Sequence, residues 1–229
     1  PIRRSRSRFE EQRVGTMMEQ GSPEWHQARL GKVTASRISD VAAKIKTGWG
    51  ASRAKYMGEL IAESLTHEPT PSFSNAAMQH GTDTEPQAAD AYSFYTDAEL
   101  ELVGFVDHPS IDQAGCSPDR LVSAAGKNGV ENGLVEIKCP QTHTHIDTLL
   151  GGSIPKKYID QMQWQMACTK REWCDFVSFD PRMPPASQLF IKRVERDKER
   201  IQELENMVVD FLFEMNEKID RLIKLENAA

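Results

Sequence analysis

Asp119, Glu136 and Lys138 are the residues whose types and spacing could do chemistry. In Leu134-Val135-Glu136-Ile137-Lys138-Cys139 the apolar residues Val135 and Ile137 alternate with Glu136 and Lys138. That is the period of a strand with one apolar face and a carboxylate beside an ammonium on the other. Asp119 ends Cys116-Ser117-Pro118-Asp119 and opens the short apolar run Arg120-Leu121-Val122. If 126–133 is a hairpin loop, Asp119 falls beside Glu136 on the adjacent strand. Two carboxylates in one place repel unless a divalent cation lies between them, so the pair is a natural Mg2+ site in which Mn2+ would substitute. A lysine beside such a cation loses its proton more readily and can orient or deprotonate a water. Cation plus activated water is what phosphodiester hydrolysis requires. Glu-x-Lys alone occurs widely and reads first as an ordinary surface ion pair; Pro-Asp on a preceding strand makes the combination far less common.

The rest of the chain must position these groups. Ser22-Pro23-Glu24-Trp25 opens a short helix that turns Trp25 and Leu30 inward and ends at Gly31. Residues 32–35 are extended, and Ser36 then caps a helix through Ile45. Thr34 and Ser36 thus sit at a helix N-terminus with Arg29 nearby, a corner attractive to a phosphate. Residues 44–55 read as a basic loop carrying Trp49, followed by a helix to about Ser64. Thr82 to Pro86 begins or kinks a helix running to about Tyr95, with Glu85 at its start. Strands are predicted over 99–107, 120–123, 134–139, 174–179 and 188–194, in a mostly antiparallel, mixed sheet of about five strands. The helix 155–169 carries the stripe Ile159, Met162 and Met166. Gln163 lies beside that stripe and needs a partner, either backbone or an attacking water or phosphate. The longest helix, 197–224, carries an unbroken apolar stripe from Ile201 to Leu222. His143 and His145 read as solvated loop residues.

The 229 residues suit a single domain over 19–229 preceded by a basic arm, 1–18, with Arg3, Arg4, Arg6 and Arg8. With 39% hydrophobic and 27% charged residues the composition is that of an ordinary soluble domain. No apolar run approaches the roughly 20 residues of a membrane span, and no secretory pattern appears, so a cytoplasmic location is expected. Cysteines at 116, 139, 168 and 174 form no C-x-x-C pair and read as reduced, mostly buried thiols. The net charge of −6 does not exclude DNA, because metal-binding carboxylates contribute to the sum and contact depends on local basic groups.

Taken in order, Trp25-His26-Gln27-Ala28-Arg29-Leu30-Gly31, Thr34-Ala35-Ser36, Cys116-Ser117-Pro118-Asp119, Glu136-Ile137-Lys138-Cys139-Pro140, Gln161-Met162-Gln163 and Asp180-Pro181-Arg182-Met183 resemble the motifs of a known family. It is the phage lambda exonuclease and YqaJ-type viral recombinase family of PD-(D/E)XK nucleases, and the likeness covers about residues 20–220. It implies an α/β (α+β) restriction-endonuclease-like core with a long C-terminal helix. It implies metal ligation by Asp119, Glu136 and the carbonyl of Ile137, assisted by Glu85, with Lys138 activating water. It places Gln163 and Gln161 near water or phosphate, and Arg29, Thr34, Ser36 and Ser117 around a terminal 5′-phosphate. The implied activity is Mg2+-dependent 5′–3′ digestion of linear double-stranded DNA to 5′-mononucleotides and a 3′ overhang, in phage or prophage recombination. A homotrimeric ring and a single-strand annealing protein are the implied partners. Pro86 directly after Glu85 departs from the family pattern. A sequence- or structure-specific endonuclease of the same fold, or an inactive DNA-end-binding scaffold, are the alternatives.

Overall fold

The computed structural model describes residues 18–46, 48–71, 75–124 and 132–227. The expected arm up to residue 17 and most of the expected 126–133 loop lie outside them. In chain order the helices are α1 (Pro23–Arg29), α2 (Ile38–Val41), α3 (Ala51–Thr66), α4 (Ala76–Thr96), α5 (Thr142–Gly151), α6 (Lys156–Thr169) and α7 (Lys198–Glu226). Two strands make a hairpin, β2 (Lys44–Ile45) with β3 (Gly48–Trp49). Three make a small sheet: β1 (Val33–Thr34) parallel to β6 (Ala114–Cys116), which pairs antiparallel with β5 (Val106–Asp107). The other five, β4 (Glu99–Glu101), β7 (Arg120–Ala124), β8 (Gly133–Lys138), β9 (Trp173–Phe179) and β10 (Leu189–Glu195), form the central sheet in the order β10-β9-β8-β7-β4. Only the β8–β9 pair in it is parallel, and α5 and α6 make that crossover. The mixed sheet and the long final helix match the sequence expectation.

Strand β8 is covered on both faces, whereas its alternation predicts one open face. Val135 and Ile137, with Val177 and Phe179 of β9, pack on Ala88, Ala89 and Tyr92 of α4. Leu134, with Cys174 and Phe176, packs on Met162, Met166 and Ala167 of α6. Glu136 faces the α6 side and is 0% exposed. Parallel crossovers put helices over both faces of a sheet, so a charged residue on such a strand is enclosed and must find partners. A third cluster joins the small sheet to α2, α3, α6 and α7, where Leu204, Val208, Phe211 and Met215 meet Val33, Ala114, Cys116 and Trp164. Gly115 is required in that seam, since a Cβ there would lie 2.3 Å from the Phe105 ring and 2.6 Å from the Val106 carbonyl oxygen.

Several expected elements are corrected. The strand expected over 99–107 divides, its first part in the central sheet and its last two residues in the small one. The helix expected from Ser36 to Ile45 is a 3-10 turn, Ala35–Arg37, and the four-residue α2, with no side-chain cap on either. The chain then leaves for the β2–β3 hairpin, so the basic loop expected over 44–55 is that hairpin followed directly by α3. Helix α4 starts near Asn75, whose Oδ1 accepts from Met78 N–H at 2.9 Å, and encloses Pro86. Pro86 is exposed, so water can reach the turn it disturbs, and Glu85 sits mid-helix rather than at its start. His143 and His145 lie on α5, not in a loop. His145 is buried, with Nδ1 2.8 Å from Ser178 Oγ and Nε2 donating to the Ser187 carbonyl at 2.9 Å.

Candidate active site

Arg120 pairs with Val135 in the β7–β8 ladder, and that register brings Asp119 beside the Glu136–Ile137 segment. Asp119 Oδ2 accepts from Ile137 N–H at 2.6 Å. Glu136 Oε1 accepts from Gln161 Nε2 at 2.6 Å and meets Lys138 Nζ, while Oε2 accepts from Gln165 Nε2 at 2.7 Å. Lys138 Nζ also lies 5.3 Å from the Tyr158 ring centroid. Glu85 reaches the cluster from α4 through Arg120, whose Nη1 donates to Glu85 Oε1 at 2.8 Å and to the Asp119 carbonyl at 2.5 Å. Of the four residues expected from the sequence to be catalytic, Asp119, Glu136 and Lys138 are thus together.

The electrostatics of this cluster suit a hard divalent cation. Burial, and then the Glu136 and Glu85 carboxylates, hold the Asp119 carboxyl well above its usual range. Burial works against the charge on Lys138, but Glu136 and Asp119 outweigh it and keep the ammonium above its usual range. These two carboxylates hold the proton on Lys138; the easier loss expected from the sequence belongs to a lysine beside a bound cation. Among the described residues no three His, Cys, Asp or Glu side chains form a metal-binding group. A cation here would take carboxylate oxygens from Asp119 and Glu136 and complete its shell with carbonyl, water or phosphate oxygen, which suits Mg2+ chemistry. The four cysteines are free and buried, as expected.

A second polar corner adjoins the first. Ser117 Oγ accepts from Trp25 Nε1 at 2.9 Å and from Arg29 Nη1 at 3.2 Å. The Arg29 guanidinium lies 4.0 Å over the Trp25 ring. Burial pulls Arg29 below its usual range, and among the described residues no carboxylate lies within ion-pair distance of it. Ser117 thus accepts twice, leaving its own hydrogen to donate outward. The β1–β6 register pairs Thr34 with Gly115, and exposed Ser36 lies in the 3-10 turn that follows β1. Thr34 itself is buried, its N–H donating to Tyr56 Oη at 3.1 Å. Half-buried arginine without a counter-ion, beside an outward hydroxyl, is a site for an oxyanion. Ser117 and Asp119 are at most about 7 Å apart along the chain, roughly the reach of one nucleotide. The segment 116–119 passes from the small sheet to the central one, so the two corners meet at the junction of the sheets.

Gln163 does not join either corner. Its Nε2 donates to the Glu195 carbonyl at 2.8 Å and its Oε1 accepts from Asp197 N–H at 2.9 Å, so its amide is spent joining α6 to the start of α7. Gln161 lies on Glu136 rather than in the oxyanion corner. Sequence reasoning missed Trp25, Arg120, Tyr158 and Gln165 as members of the site. Gln165 had a signal, four residues after Gln161 on the same helix face, and Trp25 opens one of the quoted motifs; Arg120 and Tyr158 had none.

The chain matches the YqaJ-like viral recombinase domain over residues 24–172. It is 47% identical to an alkaline exonuclease from Laribacter hongkongensis, with a TM-score of 0.82 over 91% of this chain and 100% of that one. A structure of the same enzyme in complex with dAMP gives 48% identity over the same shares. A phage-related exonuclease from Haemophilus somnus, 16% identical over 83% of this chain and 96% of that chain with a TM-score of 0.66, shares the fold. An uncharacterised protein of Acanthamoeba polyphaga mimivirus is 27% identical over 165 residues, 69% of this chain. This chain spans 29% of that protein's length. Among the described residues no helix is long and apolar enough to cross a membrane.

Proposed function

This chain belongs to the YqaJ-like viral recombinase family, and from that premise we propose that it is a divalent-metal-dependent exonuclease. It digests linear double-stranded DNA in the 5′–3′ direction and leaves a 3′ single strand for recombination by annealing. The alkaline exonuclease of Laribacter hongkongensis and its complex with dAMP, a 5′-mononucleotide, support this reading. The observation that carries it is the continuity of segment 116–119, which puts the Arg29–Ser117 corner next to the Asp119–Glu136 cluster. In such an arrangement a terminal 5′-phosphate held at Arg29 and Ser117 sets the adjacent phosphodiester against the carboxylates.

Asp119 and Glu136 hold the cation, with the Ile137 carbonyl and Glu85 in the assisting places. When bound, Mg2+ supplies positive charge at the scissile phosphate and a water of lowered pKa; Mn2+ fills the same role. Lys138 Nζ orients the attacking water and holds positive charge beside the phosphoryl oxygens. Arg29 and Ser117 bind and orient the chain end, with Ser36 at the rim of that corner. Gln161 keeps Glu136 in place from the half-buried side of α6. Arg120 neutralises Glu85 and fixes the Asp119 main chain. A ring of three copies around the duplex and a single-strand annealing partner, both in the cytoplasm, complete the proposal; a ring would keep DNA topologically trapped between successive cleavages.

The test is a linear duplex with or without a 5′-phosphate, and a closed circle, each in Mg2+ and in EDTA. Release of acid-soluble nucleotides only from the linear substrate, only in Mg2+ and faster with the 5′-phosphate, is expected. Cutting of the circle would make the enzyme an endonuclease, and no release from any substrate would make it a binding scaffold.

A further inference from the structure

We propose that Gln165 is a positioning residue of the active site, one that sets the Glu136 carboxylate for the cation and acts only through it. The inference rests on the reading of Glu136 as a metal ligand. Gln161 and Gln165 stand one helical turn apart on α6, so both amides face the same strand. They hold opposite oxygens of Glu136, at 2.6 Å on Oε1 and 2.7 Å on Oε2.

A carboxylate offers about four acceptor positions, two on each oxygen. Oε1 already meets two donors, Gln161 Nε2 and Lys138 Nζ. Oε2 meets one, Gln165 Nε2. The acceptor position left on Glu136 therefore belongs to the oxygen that Gln165 fixes. With only Gln161 and Lys138 present, the carboxylate could pivot about Oε1; the second amide removes that freedom.

Gln165 and Glu136 are both 0% exposed. The Gln165 amide donates to Glu136, so its effect on the reaction is expected to pass through Glu136. Gln161 is half-buried and is not so restricted. The Gln165 Oε1 atom is buried and has no hydrogen-bond partner among the described residues. Reversing the amide would only turn that oxygen on the carboxylate. An apolar side chain at this position would strand no carbonyl. Among the described residues the side-chain hydrogen bond that sets against this cost is the one to Glu136, as expected for a residue selected to orient a ligand.

The experiment measures Mn2+ binding to the DNA-free protein by calorimetry or electron paramagnetic resonance, for wild type, Gln165→Met and Glu136→Gln. Gln165→Met keeps the volume of the side chain and removes the donor. The expected result is Mn2+ binding weaker by about 10- to 100-fold, with KM for duplex DNA unchanged and kcat at limiting Mg2+ reduced but largely recovered at saturating Mg2+. A Gln165→Met protein that is only less heat-stable, with wild-type Mn2+ binding and metal dependence, overturns the proposal. If that variant does not fold, Gln165→Asn, which keeps the amide and withdraws it by one methylene, is put through the same measurements and judged the same way. Glu136→Gln separates the two levels. Wild-type Mn2+ binding in Glu136→Gln sinks the ligand reading and this inference with it. Loss there, with none in Gln165→Met, sinks the role of Gln165 alone.

Discussion

Lys138 sits where burial and two carboxylates compete over its charge. The carboxylates win, and the ammonium is held against Glu136. Removing it takes away the group that orients water and balances charge at phosphorus, but no metal ligand. Lys138→Ala is expected to lower kcat by roughly 10²- to 10⁴-fold while Mn2+ still binds, as a titration of the variant would report. Arg29 belongs to the other corner. It has no carboxylate partner among the described residues and rests on Trp25. A charge-assisted hydrogen bond is worth about 1.5–3 kcal/mol, so Arg29→Ala should erase a preference of about 10- to 100-fold for 5′-phosphorylated over 5′-hydroxyl ends. Competition between the two ends in one tube measures it. An unchanged ratio would mean that the oxyanion corner does not receive the 5′ end.

Among the elements, α4 sets the sharpest problem, because it carries Glu85 and continues through Pro86. The missing N–H leaves the Thr82 carbonyl without its helical donor, on an exposed turn that water can reach. Helix α4 is nevertheless held by Tyr92, whose Oη donates to Asp175 Oδ2 at 2.8 Å, and by Ala88 and Ala89 packed on the sheet. Pro86→Ala restores the bond. About 3 kcal/mol of helix preference is offset by about 1 kcal/mol of lost stiffness in the unfolded chain. A gain of about 1–2 kcal/mol in denaturant unfolding is therefore expected; a loss would mean that the ring of Pro86 is packed to advantage. The same helix shows where the sequence was legible. Elements with a clean period, β8, β9, β10, α6 and α7, stand within a residue or two of expectation, because apolar spacing decides them. Helix α4 begins six residues before the expected Thr82 because proline read as a start outweighed Asn75, an equally valid cap. Helix α5 was missed because Thr142 to Thr148 is polar on most faces and buries His145 instead of an aliphatic residue. In the site, Asp119, Glu136 and Lys138 could be read from two short motifs on paired strands. The spacing of Gln165 from Gln161 was legible, but not its hold on Glu136 or that of Trp25 on Ser117, since these depend on how α6 and α1 pack in three dimensions.

At the scale of the whole molecule, the oxyanion corner rides on the small sheet and the carboxylates on the central one, so the two must stay docked. Much of that docking passes through α6 and α7. Trp164 Nε1 donates to the Gly115 carbonyl at 3.2 Å and its ring stacks on His108, 4.9 Å between centroids. His108 is buried, accepts at Nδ1 from Ser110 N–H at 3.3 Å, and has Nε2 3.3 Å from Glu205 Oε1 on α7. With Nδ1 accepting, the neutral ring carries its hydrogen on Nε2, toward Glu205. Burial lowers the His108 pKa below its ordinary value, and Glu205 offsets this only in part. The folded state therefore binds this proton less readily than the unfolded chain. Stability from this group is fully present above about pH 6.5 and declines as pH falls through that value, at no more than about 1.4 kcal/mol per pH unit for one proton. Urea unfolding between pH 5 and 8 reads the slope. His108→Gln, which keeps a polar side chain but does not titrate, should flatten the curve across that range while leaving Asp119, Glu136 and Lys138 untouched. A variant whose stability still falls with the wild-type slope below pH 6.5 would place the acid sensitivity of the fold elsewhere than at this seam.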